Sequence, residues 1–179
     1  MIFTETKLPG AFLIEPERFA DERGFLARAW SAAAFAERGL SAPFSECNIS
    51  YNRRRGTLRG MHFQRAPHAQ AKLVRCTRGA LFDAIVDLRP GSPTYKQWVG
   101  VELTAENRLM LYVPEDFAHG FQTLADDTEL YYQMSAPYAP QAADGVRWDD
   151  PAFQIAWPDN GGAERIIIAR DQQYPDFSG

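Results

Sequence analysis

Only three histidines occur in the 179 residues, His62, His68 and His119, so each can be weighed for acid–base work. Imidazole, with an ordinary pKa of about 6.5, suits taking and returning a proton at neutral pH. His62 lies in Leu58-Arg59-Gly60-Met61-His62-Phe63-Gln64, where period-2 alternation puts it on one strand face with Leu58, Gly60 and Gln64. That placement suits a general base pointing into a partly apolar interior, and it suits a hydrogen-bonded core histidine equally. His119, in Pro114-Glu115-Asp116-Phe117-Ala118-His119-Gly120, stands at a turn before a strand, and His68, between Pro67 and Ala69, reads as an exposed loop residue. Lys72 opens an otherwise apolar strand with Leu73 and Val74. Facing an interior, its ammonium could stabilise a developing enolate or hold phosphate; at an edge it would snorkel to solvent. Tyr132 shares a strand face with Leu130 and Met134, opposite to Tyr131, so its hydroxyl turns inward and needs a partner or a task. Asp171, in Ala169-Arg170-Asp171-Gln172, reads as a solvated loop residue unless the tail folds back to orient a histidine.

Other chemistries find no support. A catalytic metal needs about three protein ligands, yet there is no HxH pair and no carboxylate at ligand spacing from His62 or His119. No GxSxG, P-loop or GxGxxG stands between a strand and a helix. Neither metal nor cofactor is expected.

The elements that must position these groups are strands. Ala80 to Leu88 is the clearest, with Phe82, Ala84, Val86 and Leu88 alternating with Asp83 and Asp87 as in a half-buried strand, ended by Pro90-Gly91-Ser92-Pro93. Further strands are predicted over 10–16, 47–51, 57–64, 72–78, 96–103, 109–114, 120–124 and 128–134, with turn residues between most of them. One short helix is predicted over Ala32 to Arg38, with Ser31 as N-cap and Gly39 at C′. Eight or more strands at about ten-residue spacing predict an all-β fold, a jelly-roll sandwich or barrel with a few short peripheral helices, and such barrels hold ligands between their sheets. With no repeat and no linker, residues 1–179 read as one domain. Strict alternation sets Arg59 and His62 on opposite faces; a bulge at Gly60 would bring both to one side.

Composition narrows the partners. A formal charge of −4 and a pI near 5.4 leave no electrostatic footprint for nucleic acid. No apolar run approaches the ~20 residues of a membrane span, and Met1 to Gly10 lacks the basic start and apolar stretch of a signal peptide. A cytoplasmic protein is expected, with Cys47 and Cys76 as reduced thiols and small buried hydrophobes.

Several segments together resemble dTDP-4-dehydrorhamnose 3,5-epimerases: Phe19-Ala20-Asp21-Glu22-Arg23-Gly24-Phe25, Asn48-Ile49-Ser50, Gly56-Thr57-Leu58-Arg59-Gly60-Met61-His62-Phe63-Gln64, Ala71-Lys72-Leu73-Val74-Arg75, Val86-Asp87-Leu88-Arg89 with Ser92-Pro93-Thr94, Phe117-Ala118-His119-Gly120-Phe121, and Trp148-Asp149-Asp150-Pro151 through Trp157-Pro158. The match runs in order over nearly the whole chain. The resemblance implies a metal-free cupin jelly roll, homodimeric with exchanged N-terminal segments, acting on a nucleotide-linked 4-keto-6-deoxyhexose. It implies His62 as base, Asp171 as its orienting carboxylate, Tyr132 as the acid on the opposite face and Lys72 as the cation near the enolate oxygen. Arg59 and His119 resemble substrate contacts, Arg23 resembles the arginine that reaches the nucleotide diphosphate, and Asn48, Gln64, Tyr138 and Phe19 are carried over as further substrate-binding residues. The chain departs from the family pattern at Arg28, Glu46, Asn52, Gln133 and Ala143, where Glu, Gln, Ser, Lys and a nearby Glu are usual. Those departures bear on the identity of the nucleotide and sugar; epimerisation at C3 alone stays open because it depends on how the ring sits between base and acid, and the rival readings are a 3,4-ketoisomerase, a non-catalytic sugar-nucleotide binder and a metal-dependent cupin oxygenase.

Overall fold

The computed structural model describes residues 1–40 and 43–178 and contains, among them, thirteen strands and two short helices. In chain order these are β1 (Ile2–Glu5), β2 (Phe12–Glu15), β3 (Arg18–Asp21), β4 (Gly24–Ala27), α1 (Ala32–Ala36), β5 (Glu46–Asn52), β6 (Leu58–Gln64), β7 (Lys72–Arg78), β8 (Ala80–Asp87), β9 (Trp98–Thr104), β10 (Met110–Val113), β11 (Phe117–Thr123), β12 (Thr128–Met134), β13 (Ala143–Gly145) and α2 (Ala169–Gln172). One antiparallel sheet runs β1-β2-β10-β7-β12-β5, a second runs β13-β6-β11-β8-β9, and β3 and β4 form a separate hairpin. The crossovers between non-consecutive neighbours are those of a jelly roll, the all-β fold expected. Val74, Leu111 and Leu130 of the first sheet meet Leu81, Ile85 and Phe121 of the second in the shared core.

β8 is not the half-buried strand that its alternation predicts. Phe82, Ala84 and Val86 do face away from the barrel, but chain that follows β13 covers them, with Val146 and Phe153 buried there and Trp157 packed against them. The Trp157 ring meets Phe82 edge-on at 5.9 Å, and its Nε1 donates to Trp148 O at 2.7 Å. A sheet covered on both sides leaves no solvent face for polar residues. Asp83 and Asp87 therefore point inward, both fully buried. Burial would raise the Asp87 carboxyl, but bonds from Arg89, Ser92 Oγ and Thr94 Oγ1 hold it well below the usual carboxylate range. The Asp-Leu-Arg and Ser-Pro-Thr motif is thus the clasp of the turn after β8.

Helix α1 keeps its predicted N-cap, with Ala34 N–H reaching Ser31 Oγ at 3.4 Å, and Gly39 has the predicted left-handed φ of +66°. Its Phe35 is fully buried between the rings of Phe3, Phe44 and Tyr112. The β3–β4 hairpin was not predicted: its strands are four residues long and leave Phe19 and Leu26 71% and 76% exposed. Cys76 is buried as expected, and burial pushes its thiol up to about 11. Cys47, by contrast, is exposed, because β5 is an edge strand and residue 47 alternates with Asn48 to the sheet's outer side.

Candidate active site

A cavity of about 500 Å³ opens between the two sheets, and Arg59, His62, Lys72, His119 and Tyr132 line it. His62, Arg59 and His119 come from β6 and β11 of one sheet, Lys72 and Tyr132 from β7 and β12 of the other. His119 lies within β11, not at a turn before it.

Arg59 and His62 share the cavity because β6 is bulged. His62 pairs with His119 and Arg59 with Phe121, so β6 spends one more residue than β11 over the same span. The added residue turns Arg59 to the side of His62. Gly60 sits in the bulge at φ +126°, and a Cβ there would come within 2.5 Å of Gly120 Cα.

Asp171 is the largest revision to the residue-by-residue reading, since the expected solvated loop position is fully buried. After the covering segment, Ile166 N–H donates to Gly56 O and its carbonyl accepts from Leu58 N–H, running the chain parallel to the start of β6. Helix α2 then sets the Asp171 carboxylate against His62, with Nε2 and Oδ1 2.9 Å apart. Oδ2 accepts from Gly60 N–H at 3.1 Å, so one carboxylate holds both the histidine and the bulge. Burial would raise this carboxyl, but the contacts from His62, Gly60 and Arg170 keep it below its ordinary value, and it is ionised at neutral pH. An ionised carboxylate only accepts, so Nε2 carries the hydrogen and Nδ1 is the basic ring atom. Arg170, passed over in the sequence, brings Nη2 to 3.2 Å of the same Nε2 and donates from Nε to Asp171 Oδ1 at 3.3 Å. Tyr174 completes the surroundings, edge-on to the imidazole with ring centroids 6.4 Å apart. Asp171→Asn is expected to lower turnover about 10²-fold by mis-setting the tautomer; an unchanged rate with an unchanged pH–rate profile would remove Asp171 from this role.

Lys72 reaches across the barrel, its Nζ 3.5 Å from His62 O. Burial pushes its ammonium down to about 8, with Asp83 acting in the opposite direction. Asp83 was missed because alternation assigned it to solvent. Its Oδ1 lies 2.9 Å from His119 Nε2 without hydrogen-bond alignment, and both side chains are buried. A buried carboxylate needs compensation, here from the Lys72 ammonium. The Tyr132 hydroxyl has no hydrogen-bond partner among the described residues and faces the cavity from the sheet opposite His62.

The remaining expected site residues stand elsewhere. Asn48 is the ladder partner of Tyr132 at the exposed edge strand, its Nδ2 4.0 Å from Met134 Sδ. Gln64 is buried outside the cavity lining and ties loops together, donating to His68 O and Pro137 O and accepting from Ala139 N–H. Tyr138 is exposed on the following loop, its N–H bonded to Glu46 Oε2 at 3.2 Å. Phe19 and Arg23 lie on the β3–β4 hairpin, away from this chain's own cavity, with Arg23 paired to Asp21. Among the described residues no three His, Cys, Asp or Glu side chains converge as metal ligands.

Side chains able to take and give protons, gathered inside a jelly roll, make an acid–base site, and the chain's relatives place it among isomerases. Residues 5–179 match the sequence model of dTDP-4-dehydrorhamnose 3,5-epimerase. The chain belongs to that family. The family's enzyme from Sinorhizobium fredii is 46% identical over 158 residues, 88% of this chain and 81% of the relative. The crystal structure of the Elizabethkingia anophelis enzyme superposes with a TM-score of 0.95 at 39% identity, covering 99% of this chain and 96% of that one. The dTDP-6-deoxy-D-glucose-3,5-epimerase of Legionella pneumophila, solved in complex with dTDP-4-keto-L-rhamnose, gives 0.87 at 35% identity, covering 95% and 89%.

Proposed function

We propose that this protein inverts C3 and C5 of dTDP-4-dehydro-6-deoxyglucose to give dTDP-4-dehydrorhamnose, by proton abstraction and return through an enolate. The observation that carries the reading is the pairing of His62, backed by buried Asp171, with Tyr132 on the opposing sheet, and Lys72 reaching between them. The C4 ketone acidifies the hydrogens on C3 and C5. His62 Nδ1 takes the proton at one carbon while charge moves onto the C4 oxygen, where the Lys72 ammonium stabilises it. Tyr132 O–H delivers a proton to the other face of the same carbon. Each inversion leaves an imidazolium and a phenolate, and exchange with solvent resets both, so solvent hydrogen enters the product. His119 and Arg59 serve as substrate contacts in this reading.

The β3–β4 hairpin fits the same reading as an exchanged segment of a homodimer. Its exposed Phe19 and Leu26 would be covered, and Arg23 would reach the nucleotide diphosphate in the partner's cavity. Free Cys47 and Cys76 suit the reducing cytoplasm in which we place the enzyme.

The test is incubation with dTDP-4-keto-6-deoxyglucose in D₂O, following the C3 and C5 proton signals by NMR. Loss of both is expected. Loss of one alone would make it a single-site epimerase, a migrated carbonyl would make it a ketoisomerase, and no change in either would overturn the reading. Tyr132→Phe separates the two half-reactions: epimerised product should fall about tenfold further than deuterium wash-in, because His62 still exchanges one face. Equal, small effects would return Tyr132 to packing.

A further inference from the structure

We infer that Asn52 is a positioning residue, a buried neutral amide that holds the Arg59 guanidinium in one orientation so that its two Nη groups present a preset fork to a phosphate group of the ligand. The inference rests on the reading above that Arg59 meets the substrate. Asn52 closes β5 and is only 2% exposed. Its Nδ2 donates to Ser50 O at 3.1 Å and to Thr128 O at 3.3 Å. Both acceptors belong to the β5–β12 ladder, where Thr128 is the partner of Asn52 itself. The amide cannot flip, because Oδ1 would then face two carbonyl oxygens. Oδ1 therefore points to Arg59 and accepts from its Nε at 2.8 Å.

Arg59 has no carboxylate partner and no bond to either Nη among the described residues, although it lines the cavity. A carboxylate in place of Asn52 would hold the guanidinium and also neutralise it. The amide holds it and leaves its charge for an incoming anion. A guanidinium fixed through Nε offers both Nη groups in one plane, the geometry for two parallel bonds to phosphate oxygens. Its rotamer freedom is lost before the ligand arrives, so less is lost on binding.

The test uses dTDP as the calorimetric probe and dTDP-4-keto-6-deoxyglucose for kinetics, with Asn52→Ala, Asn52→Ser, Arg59→Ala and the Asn52→Ala/Arg59→Ala double variant. Asn52→Ala is expected to raise the dTDP Kd and the KM about 5–10-fold while kcat at saturation stays within about twofold, as for a uniform binding contact. That retained kcat also shows that the barrel is intact. Asn52→Ser, smaller than asparagine but still able to bond the ladder, should fall between alanine and wild type. In the Arg59→Ala background the second substitution should change Kd no further. Full additivity of the two effects, or a wild-type Kd for both Asn52 variants while Arg59→Ala binds weakly, would overturn the inference. A wild-type Kd for Arg59→Ala would overturn it through its premise, by removing Arg59 from the substrate.

Discussion

Alanine at position 62 is expected to lower epimerisation about 10³-fold or more, the loss that follows removal of a general base. No other group stands ready to replace it. Arg170 stands nearest the imidazole, but a guanidinium does not give up its proton to act as a base, and Lys72 is buried, carries a proton up to about pH 8 and lies beside Asp83. His119 Nε2 stands 2.9 Å from the same carboxylate. The variant should still fold, because Asp171 keeps Gly60 N–H and Arg170 when the imidazole is gone. The measurement is the initial rate of C3 and C5 proton loss in D₂O, with the urea midpoint as the check on folding. A variant that folds and retains more than a tenth of the wild-type rate would take the base assignment away from His62.

Lys72→Met should cost about 10²–10³-fold in kcat, because the charge that develops on the C4 oxygen loses the buried ammonium that offsets it. The wild-type pH dependence follows from the same group. Burial lowers the Lys72 ammonium to about 8, so the free enzyme is cationic there below that pH and neutral above it. kcat/KM reports the free enzyme, and it should fall about tenfold per pH unit above pH 8. Lys72→Arg keeps its charge to much higher pH, so whatever activity it retains should lose this alkaline fall. A wild-type kcat/KM that stays level to pH 9.5 would show that the Lys72 charge does not enter the rate.

Much of the barrel was legible in the sequence because alternation survives wherever one strand face meets a core. β7 and β12 begin and end at the predicted residues, and β6 begins one residue later than predicted. The same rule failed where both faces are covered. In β8 it turned Asp83 and Asp87 to solvent, because nothing local announces that residues 146–178 will fold over Phe82 and Val86. It failed again at the β3–β4 hairpin, whose Phe19 and Leu26 meet no core in this chain. For the site, alternation alone puts His62 and Tyr132 on inward strand faces but leaves Lys72 open between the interior and a solvent edge. Asp171 could not be placed this way, since its burial depends on a contact with a strand more than a hundred residues earlier. Resemblance to the family supplied that pairing; periodicity could not. Alternation separates Arg59 from His62, and Gly60, at φ +126°, sits in the bulge that brings both to one side.

The covering segment has a further consequence for the order in which the molecule becomes competent during synthesis. Every barrel strand is complete once residue 145 has been made, whereas the carboxylate that orients His62 comes at residue 171. At about 5–20 residues per second, that interval is on the order of seconds. A barrel folded within it would hold His62, Lys72 and Tyr132 around the cavity without the Asp171 carboxylate beside the imidazole. It would also show water a bare apolar patch of Met61, Ala84, Val86 and Ala118. Residues 146–178 thus do two things at once: they cover that apolar patch and bring the Asp171 carboxylate to His62.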